Sequence, residues 1–372
     1  MSIKQISKNK YKIEVVVGYN NNKKIREYET FNGTKKEAEL RESEIKLQVK
    51  NNTYISKNKI TLYMFIQEWL ESKKSTLAIK TYKNYELYCK NICKCIGHIK
   101  LNNLSPKILD SFYNELKTKT NYSDRTIKDH YTSVTTILNT AVKWGYLNFN
   151  PNLRTTPIKC RKKEISCFTP EEANYLLHVL KSEPLKNQVL INLALDSGCR
   201  KGEITGLTWE DINFDTGCIT INKATQYVPG YGIFEKETKT ETSNRIVYIS
   251  KTTLNLLKQY KKQQLEKRLK LGDKWQNSKR IFTTDYGADM HPNTPYKMLQ
   301  SIIKKYNLKK IPFHGLRHTN ASLLKYNKVP LQTISKRLGH SSIGVTNKVY
   351  MHFYEDEMQD VALVTENILN VK

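Results

Sequence analysis

Ser197-Gly198-Cys199-Arg200-Lys201-Gly202-Glu203 is the segment from which the fold can be worked out. Its serine and glycine read as a turn, and the residues after them as the start of a helix. Two cations then stand where the backbone N–H groups of a helix already carry partial positive charge, which costs energy unless an anion docks there. A phosphate would relieve the conflict. An ion pair from Arg200 to Glu203 one turn on is the simpler alternative, worth roughly 0.2–0.5 kcal/mol.

On the N-terminal side of this segment, Thr169-Pro170-Glu171-Glu172 supplies a cap, a proline in the first turn and acids at the positive end of a helix. On the C-terminal side, residues 217–222, 231–236 and 245–249 read as strands, and helices occupy most of the chain beyond them. Thr238-Lys239-Thr240 falls between two of those strands, so Lys239 is expected on a hairpin tip. His314 and Arg317 are spaced i and i+3, which puts both on one helix face and lets them address one small anion. Arg offers a planar fork that matches phosphate oxygens, and His exchanges a proton near neutral pH. His318 points elsewhere and is expected to be a structural histidine. Further on, a helix ends at Gly339, Ser341 and Ser342 can cap the next, and Tyr350 falls about two turns inside it. Residues 331–350 taken alone look like a helix-turn-helix, which would make the chain a non-catalytic DNA-binding regulator. That leaves Arg200, Lys239, His314 and Arg317 without a role.

The 372 residues suggest two or three domains. Their 62 Lys and Arg against 35 Asp and Glu leave a net charge of +27, which favours a polyanionic partner because each neutralised phosphate releases counterions. The first twelve residues are polar and basic, unlike a signal peptide, and no run approaches the ~20 apolar residues of a membrane span. A soluble chain in the bacterial cytoplasm, associated with the nucleoid and making no membrane contact, is expected. Seven cysteines without regular spacing are no disulfide framework. Cys89, Cys93 and Cys95 lack a second ligand pair at finger spacing, so no metal is expected.

Patterning divides the chain into four parts. Residues 1–55 alternate apolar and polar around Tyr11, Ile13, Val15 and Val17, as a hairpin or small three-stranded sheet does, and Thr34 to Glu37 then forms a capping box for a helix to about Val49. Its core is thin, which suits an accessory binding module. Residues 60–150 have helical spacing throughout, predicting four or five helices and no strand. Basic residues and hydroxyls gather at two helix starts there, Lys80, Thr81 and Lys83, then Arg125, Thr126 and Lys128, where they can grip DNA phosphates or serve as ordinary caps. Residues 151–163 are Pro-punctuated and carry Lys159, Arg161, Lys162 and Lys163, as expected of a basic linker running along DNA. Residues 164–372 mix helices with small sheets and end in a short amphipathic tail bearing Val361, Leu363, Ile368 and Leu369. The fold class expected is multidomain, mainly α with small β-sheets.

In order along the chain, Ser197 to Glu203, Thr238-Lys239-Thr240 with Ser243-Asn244-Arg245, His314-Gly315-Leu316-Arg317-His318, and Leu338-Gly339-His340 through Thr346 to Tyr350 resemble the motifs of the tyrosine recombinase (phage integrase) family. The similarity spans residues 60 to 355. Residues 1–55 more loosely resemble the arm-binding domain of integrases from phages and conjugative transposons. The resemblance implies an all-helical SAM-like core-binding domain followed by a mixed α+β catalytic domain. It also implies a site-specific recombinase working through a 3′-phosphotyrosine and a Holliday junction, with no metal, ATP or other cofactor.

Residue by residue, the family's roles fall on Tyr350 as nucleophile, Arg200 and Arg317 as a clamp on the non-bridging oxygens, and Lys239 as proton donor to the 5′ oxygen. His314 becomes the proton acceptor or orienter, His340 a further donor to the phosphate, and Glu203 a residue that steadies the site without reacting. Implied partners are double-stranded DNA at core and arm sites, and three further copies of the chain in a homotetramer on DNA, formed from monomers in solution. An excision factor and a DNA-bending host protein complete the set. The rival within catalysis is a type IB topoisomerase-like relaxing enzyme, which shares the nucleophile.

Overall fold

In the computed structural model the described residues are 3–20, 23–51, 60–160, 166–237 and 244–339. Lys239, His340, Tyr350, Arg161, Lys162, Lys163 and the tail lie outside them. The chain divides into two compact units, Met1–Lys162 and Lys163–Lys372.

The first unit opens with strands β1 (Ile3–Ser7), β2 (Lys10–Asn20) and β3 (Lys23–Asn32) in one antiparallel sheet of that order. Its register sets Ile13 opposite both Ile3 and Glu29, and Tyr11 opposite Phe31. The sequence pattern points to the strands around Tyr11 and Lys24 but not to β1, whose five residues are mostly exposed and carry no apolar alternation. Helix α1 (Lys35–Lys50) starts at a complete Thr34–Glu37 capping box, with Thr34 N–H donating to Glu37 Oε2 at 2.7 Å. Ala38 and Ile45 pack against Tyr11, Ile13 and Val15 in a small core.

A second core in the same unit is built by α2 (Leu62–Lys73), α3 (Ile79–Ile96), α4 (Pro106–Lys119) and α5 (Asp124–Lys143), with no named strand among residues 61–156. Thr61, Ser105 and Ser123 cap three of these helices through their hydroxyls. The buried faces fall at helical spacing, Leu62, Phe65, Ile66 and Trp69 on α2 and Ile127, Val134, Ile137, Leu138 and Ala141 on α5. Trp69 satisfies its buried indole by donating to Thr140 Oγ1 at 3.1 Å. Cys89 and Cys93 line this core on α3, and burial pushes their thiols up to about 12 and about 11, so they behave as small apolar residues.

The first part of the segment 151–163, expected as a linker, is packed on the helical core. Pro151, Asn152 and Thr155 are buried on the helical core, where Tyr113 Oη donates to Asn152 Oδ1 at 2.6 Å and Asn152 Nδ2 donates to Thr135 Oγ1 at 2.8 Å. Pro151 opens a short 3-10 turn, Pro151–Arg154, whose start Asn150 caps by accepting the Asn152 N–H at 2.9 Å.

In the second unit, α6 (Pro170–Leu180) starts at a Thr169–Glu172 capping box, and α7 (Leu185–Ser197) is buried on nearly every side through Val189, Leu190, Ile191, Leu193, Ala194 and Leu195. Helix α8 (Lys201–Gly206) comes directly after α7. Strands β4 (Ile212–Asn213), β5 (Cys218–Ile221) and β8 (Arg245–Tyr248) form one antiparallel sheet, while β6 (Lys223–Val228) and β7 (Gly232–Glu237) form another. The expectation of a hairpin with Lys239 at its tip is therefore corrected: β7 pairs with β6, and β8 pairs with β5 in register Ile219 to Val247. The turn at Pro229-Gly230-Tyr231 closes the β6–β7 hairpin, and β6 is hidden in the sequence because Lys223, Thr225 and Gln226 obscure its alternation. Helices α9 (Lys251–Leu271), α10 (Thr294–Lys305), α11 (Phe313–Tyr326) and α12 (Leu331–Leu338) follow among the described residues. Helix α7 is the central helix of the unit, with α6, α8, α9, α10 and α11 packed on it.

Candidate active site

Helix α7 ends at Gly198, whose φ of +64° is left-handed and whose missing Cβ matters: one built there would lie 2.5 Å from Leu338 Cδ2. The turn so formed delivers Arg200 to the N-cap of α8. Glu203, one turn on, accepts the Arg200 backbone N–H at 2.8 Å and its guanidinium at 2.7 Å. The ion pair, the simpler of the two sequence readings, is thus present. It does not exhaust Arg200, whose side chain stays 42% exposed while Glu203 is 3% exposed.

Arg317 on α11 is nearly the opposite, a charged side chain 1% exposed. Its guanidinium spans two backbone oxygens, Nη1 donating to Gly198 O at 3.0 Å and Nη2 to Leu338 O at 2.6 Å. Elsewhere on the same helix Gly315 lies close against the segment that enters α6; a Cβ there would sit 2.7 Å from Ser166 O. Burial and then the neighbouring Arg200 charge push Arg317 down to about 9. A guanidinium stays charged at neutral pH, so the shift describes a cation short of negative partners.

His314 lies in the first turn of α11, with its ring edge-on to His318 at 4.6 Å between centroids. Burial, then His318, Arg317 and Arg200, lower it to about 4, so it is neutral at physiological pH. His318 is lowered to about 4 by burial and by Arg317, and its Nδ1 is buried without a hydrogen-bond partner among the described residues.

Arg245 on β8 enters the same cluster. Its Nη2 donates to Glu203 Oε2 at 2.8 Å and its Nη1 to Glu203 Oε1 at 3.3 Å. Burial alone raises the Glu203 carboxyl, but the Arg245 hydrogen bond and charge, together with the Arg200 amide and charge, outweigh it and hold the group at about 2. Glu203 thus pairs with two guanidiniums, Arg200 and Arg245, while Arg317 is held on backbone carbonyls, so among the described residues guanidinium exceeds carboxylate here, an arrangement that suits an anion. A single phosphodiester is such an anion.

Of the residues singled out in sequence, the fold brings together Arg200, Glu203, Arg317 and His314; Lys239, His340 and Tyr350 fall outside the described residues. Arg245 stands out in the sequence only as part of a motif, and no local spacing links it to Glu203, forty-two positions away. On the helical domain, Lys80 and Thr81 are exposed and Lys83 half-buried in the first turns of α3, which has no side-chain cap, and Lys83 pairs with Glu86 at 2.6 Å. At the start of α5, Thr126 meets the capping Ser123 hydroxyl at 3.0 Å, Arg125 pairs with Asp129 at 3.3 Å, and Lys128 is exposed. Lys159 is exposed as well. Among the described residues no three His, Cys, Asp or Glu side chains are grouped to hold a metal, and no helix is long and apolar enough to cross a membrane.

The acid response of this cluster has a definite sign. His314 and His318 have folded values below their ordinary value, so they favour the folded state less as pH falls from about 6.5 towards about 4. Glu203, lowered from 4.5 to about 2, keeps its full contribution above about 4.5 and loses it towards 2. The melting temperature of the DNA-free protein is expected to decline already between pH 6.5 and 5, and His318→Gln should flatten that part of the curve. A curve flat to about pH 5 in the native protein would contradict the histidine environments.

Comparison with known proteins places these features. Residues 166–357 match the phage integrase family model, and residues 61–156 match the phage integrase SAM-like domain model. The chain is 30% identical over 364 residues to a "Tyrosine recombinase XerC-like" protein of Caldanaerobacter subterraneus subsp. tengcongensis, covering 92% of each. It is 24% identical to the ICEBs1 integrase of Bacillus subtilis across 99% of this chain and 100% of that one. Among solved structures, the Tn1549 transposon integrase in complex with a circular intermediate DNA superposes with a TM-score of 0.68 at 18% identity, over 82% of this chain and all of that one. A lambda integrase dimer bound to a COC′ core site superposes with a TM-score of 0.58 at 17% identity, over 94% of each.

Proposed function

Because this chain belongs to the phage integrase family of tyrosine recombinases, we propose that Arg200, Lys239, His314, Arg317, His340 and Tyr350 make one active centre around a scissile phosphodiester. The protein is a site-specific DNA recombinase, an enzyme that cleaves and rejoins DNA strands. The observation that carries the site is the surplus of guanidinium over carboxylate around Glu203, with Arg200 partly open to solvent.

In the proposed reaction the Tyr350 hydroxyl oxygen attacks phosphorus and its proton passes to neutral His314, while the P–O5′ bond breaks and Lys239 protonates the departing 5′ oxygen. Arg200 and Arg317 hold the non-bridging oxygens as charge builds on them, the term that dominates such reactions. His340 donates to the same phosphate, and Glu203 steadies Arg200. One phosphodiester is exchanged for one phosphotyrosyl bond, so attack by a 5′ hydroxyl from a partner strand reverses the step without ATP. The two guanidiniums supply the positive charge that a metal supplies elsewhere.

Residues 1–55 would bind arm sites, residues 60–150 and 164–372 would clamp the core site, and the basic segment ending at Lys163 would follow the DNA between them. Lys80, Thr81, Lys83, Arg125, Thr126, Lys128, Lys159, Arg161 and Lys162 would contact phosphates. Similarity to the ICEBs1 integrase runs through the N-terminal module, which supports an integrase of a mobile element. Monomers in solution would assemble as a homotetramer on DNA, the apolar tail of each docking on a neighbour, with an excision factor and a DNA-bending protein as accessory partners in the bacterial cytoplasm.

The regulator and relaxing-enzyme alternatives are not favoured by these relatives. Two duplexes carrying the element's attachment sites, incubated with the purified chain, are expected to give a four-way junction and then recombinant strands without Mg²⁺ or ATP. Supercoil relaxation with no junction would return the relaxing enzyme; binding without any cleavage would return the regulator.

A further inference from the structure

Three successive carbonyls at the C-terminal end of α12 each receive a guanidinium N–H from a different part of the chain. Arg245 Nε donates to Arg337 O at 2.9 Å, Arg317 Nη2 to Leu338 O at 2.6 Å, and Arg200 Nη2 to Gly339 O at 3.4 Å. The last carbonyls of a helix have no partner within it and sit at the negative end of its dipole, so they suit cations. Arg200 and Arg317 have proposed work at the phosphate. Arg245 has none, and its side chain is 5% exposed and turned inward.

We propose that Arg245 is a positioning residue for strand cleavage, setting Arg200 in place through Glu203 and fixing both to the end of α12. The inference rests on the reading of Arg200 as a phosphate clamp. Without Arg245, one buried carboxylate would answer to Arg200 alone and draw its guanidinium inward, away from the partly open position it now holds. The planar fork matters as much as the charge, because it bridges both Glu203 oxygens while Nε holds Arg337 O. The strand β8 thereby connects to the helix end from which the chain runs on to His340 and Tyr350.

Arg245→Lys keeps Glu203 paired but cannot make all three contacts, so it is the variant of choice, with melting temperature as the check on folding. Single-turnover cleavage is measured on the same duplex with either a normal scissile phosphodiester or a methylphosphonate, whose uncharged methyl removes the oxygen that a clamp must hold. Arg245→Lys is expected to cleave the phosphodiester about tenfold or more slowly, since one misplaced donor in such a site costs up to about 10²–10³. The methylphosphonate should be cleaved within about threefold of the native rate. Arg245→Met should widen the contrast, and Arg245→Met with Glu203→Gln, which leaves no unpaired carboxylate, serves if the single variant fails to fold. Equal losses on both substrates, or native rates on both, overturn the positioning role. Arg200→Ala distinguishes the two levels: if it shows no preference for the methylphosphonate, the clamp reading falls; if it does and Arg245→Lys does not, only Arg245 is dismissed.

Discussion

Replacing Tyr350 by Phe is expected to abolish the covalent protein–DNA adduct while leaving DNA binding within a few-fold of native. The change removes one oxygen atom, which in the proposed reaction is the atom that attacks phosphorus. Water acting in its stead would lack the effective molarity of about 10⁵–10⁸ M that a tethered, oriented group enjoys. Cleavage should fall by a factor on the order of 10⁴ or more, the scale on which removal of a covalent nucleophile acts. Affinity should survive, because a chain with a net charge of +27 binds DNA through many phosphate contacts and a single hydroxyl adds little. A nicked duplex whose cleaved end diffuses away traps the adduct, and denaturing electrophoresis reads it. Adduct from Tyr350→Phe would assign the nucleophile elsewhere, Tyr354 being the nearest alternative in sequence.

Arg317→Lys is expected to lower single-turnover cleavage by about 10²–10³ while affinity changes far less. The guanidinium reaches Gly198 O and Leu338 O at 3.0 and 2.6 Å with two of its nitrogens, which leaves further N–H groups for a phosphate oxygen. An ammonium is a point charge with three donors on one atom and cannot span both carbonyls while facing a third partner. At least one buried carbonyl is left short, so the melting temperature should also fall, by an amount corresponding to about 1–3 kcal/mol. The kinetic loss should persist at temperatures where the variant is fully folded. Cleavage within about threefold of native in a folded Arg317→Lys protein would show that charge alone suffices and that the fork is incidental.

Local signals were legible in the sequence because the contacts behind them are local. Thr34 with Glu37 and Thr169 with Glu172 each close a box within one turn, and both helices begin where those boxes stand. The apolar spacing of α2 and α5 likewise marks the faces that are buried. Strand pairing was not legible in the same way. Residues 231–236 and 245–249 both read as strands, but nothing in either says that the first turns back on 223–228 and the second joins 218–221. Pro157 to Cys160 kept its irregular character, whereas Pro151 to Thr155 did not, because Asn152 finds partners on α4 and α5 that no pattern of adjacent residues reveals.

The sequence by itself determined the chemical cast: Arg200 at a turn into a helix, His314 and Arg317 one turn apart, a large positive charge, and their order along the chain. Only the tertiary structure decided that Arg200, Arg245 and Arg317 converge on the end of one helix, and that Glu203 answers two of them. The donors and acceptors of that convergence lie 139, 92 and 21 positions apart, and Arg317 meets Gly198 across 119. Capping and helix periodicity come from contacts within about four residues. A carbonyl at a helix end becomes a partner for a distant guanidinium only after the buried faces of α7, α11 and α12 have packed and brought them within hydrogen-bonding reach.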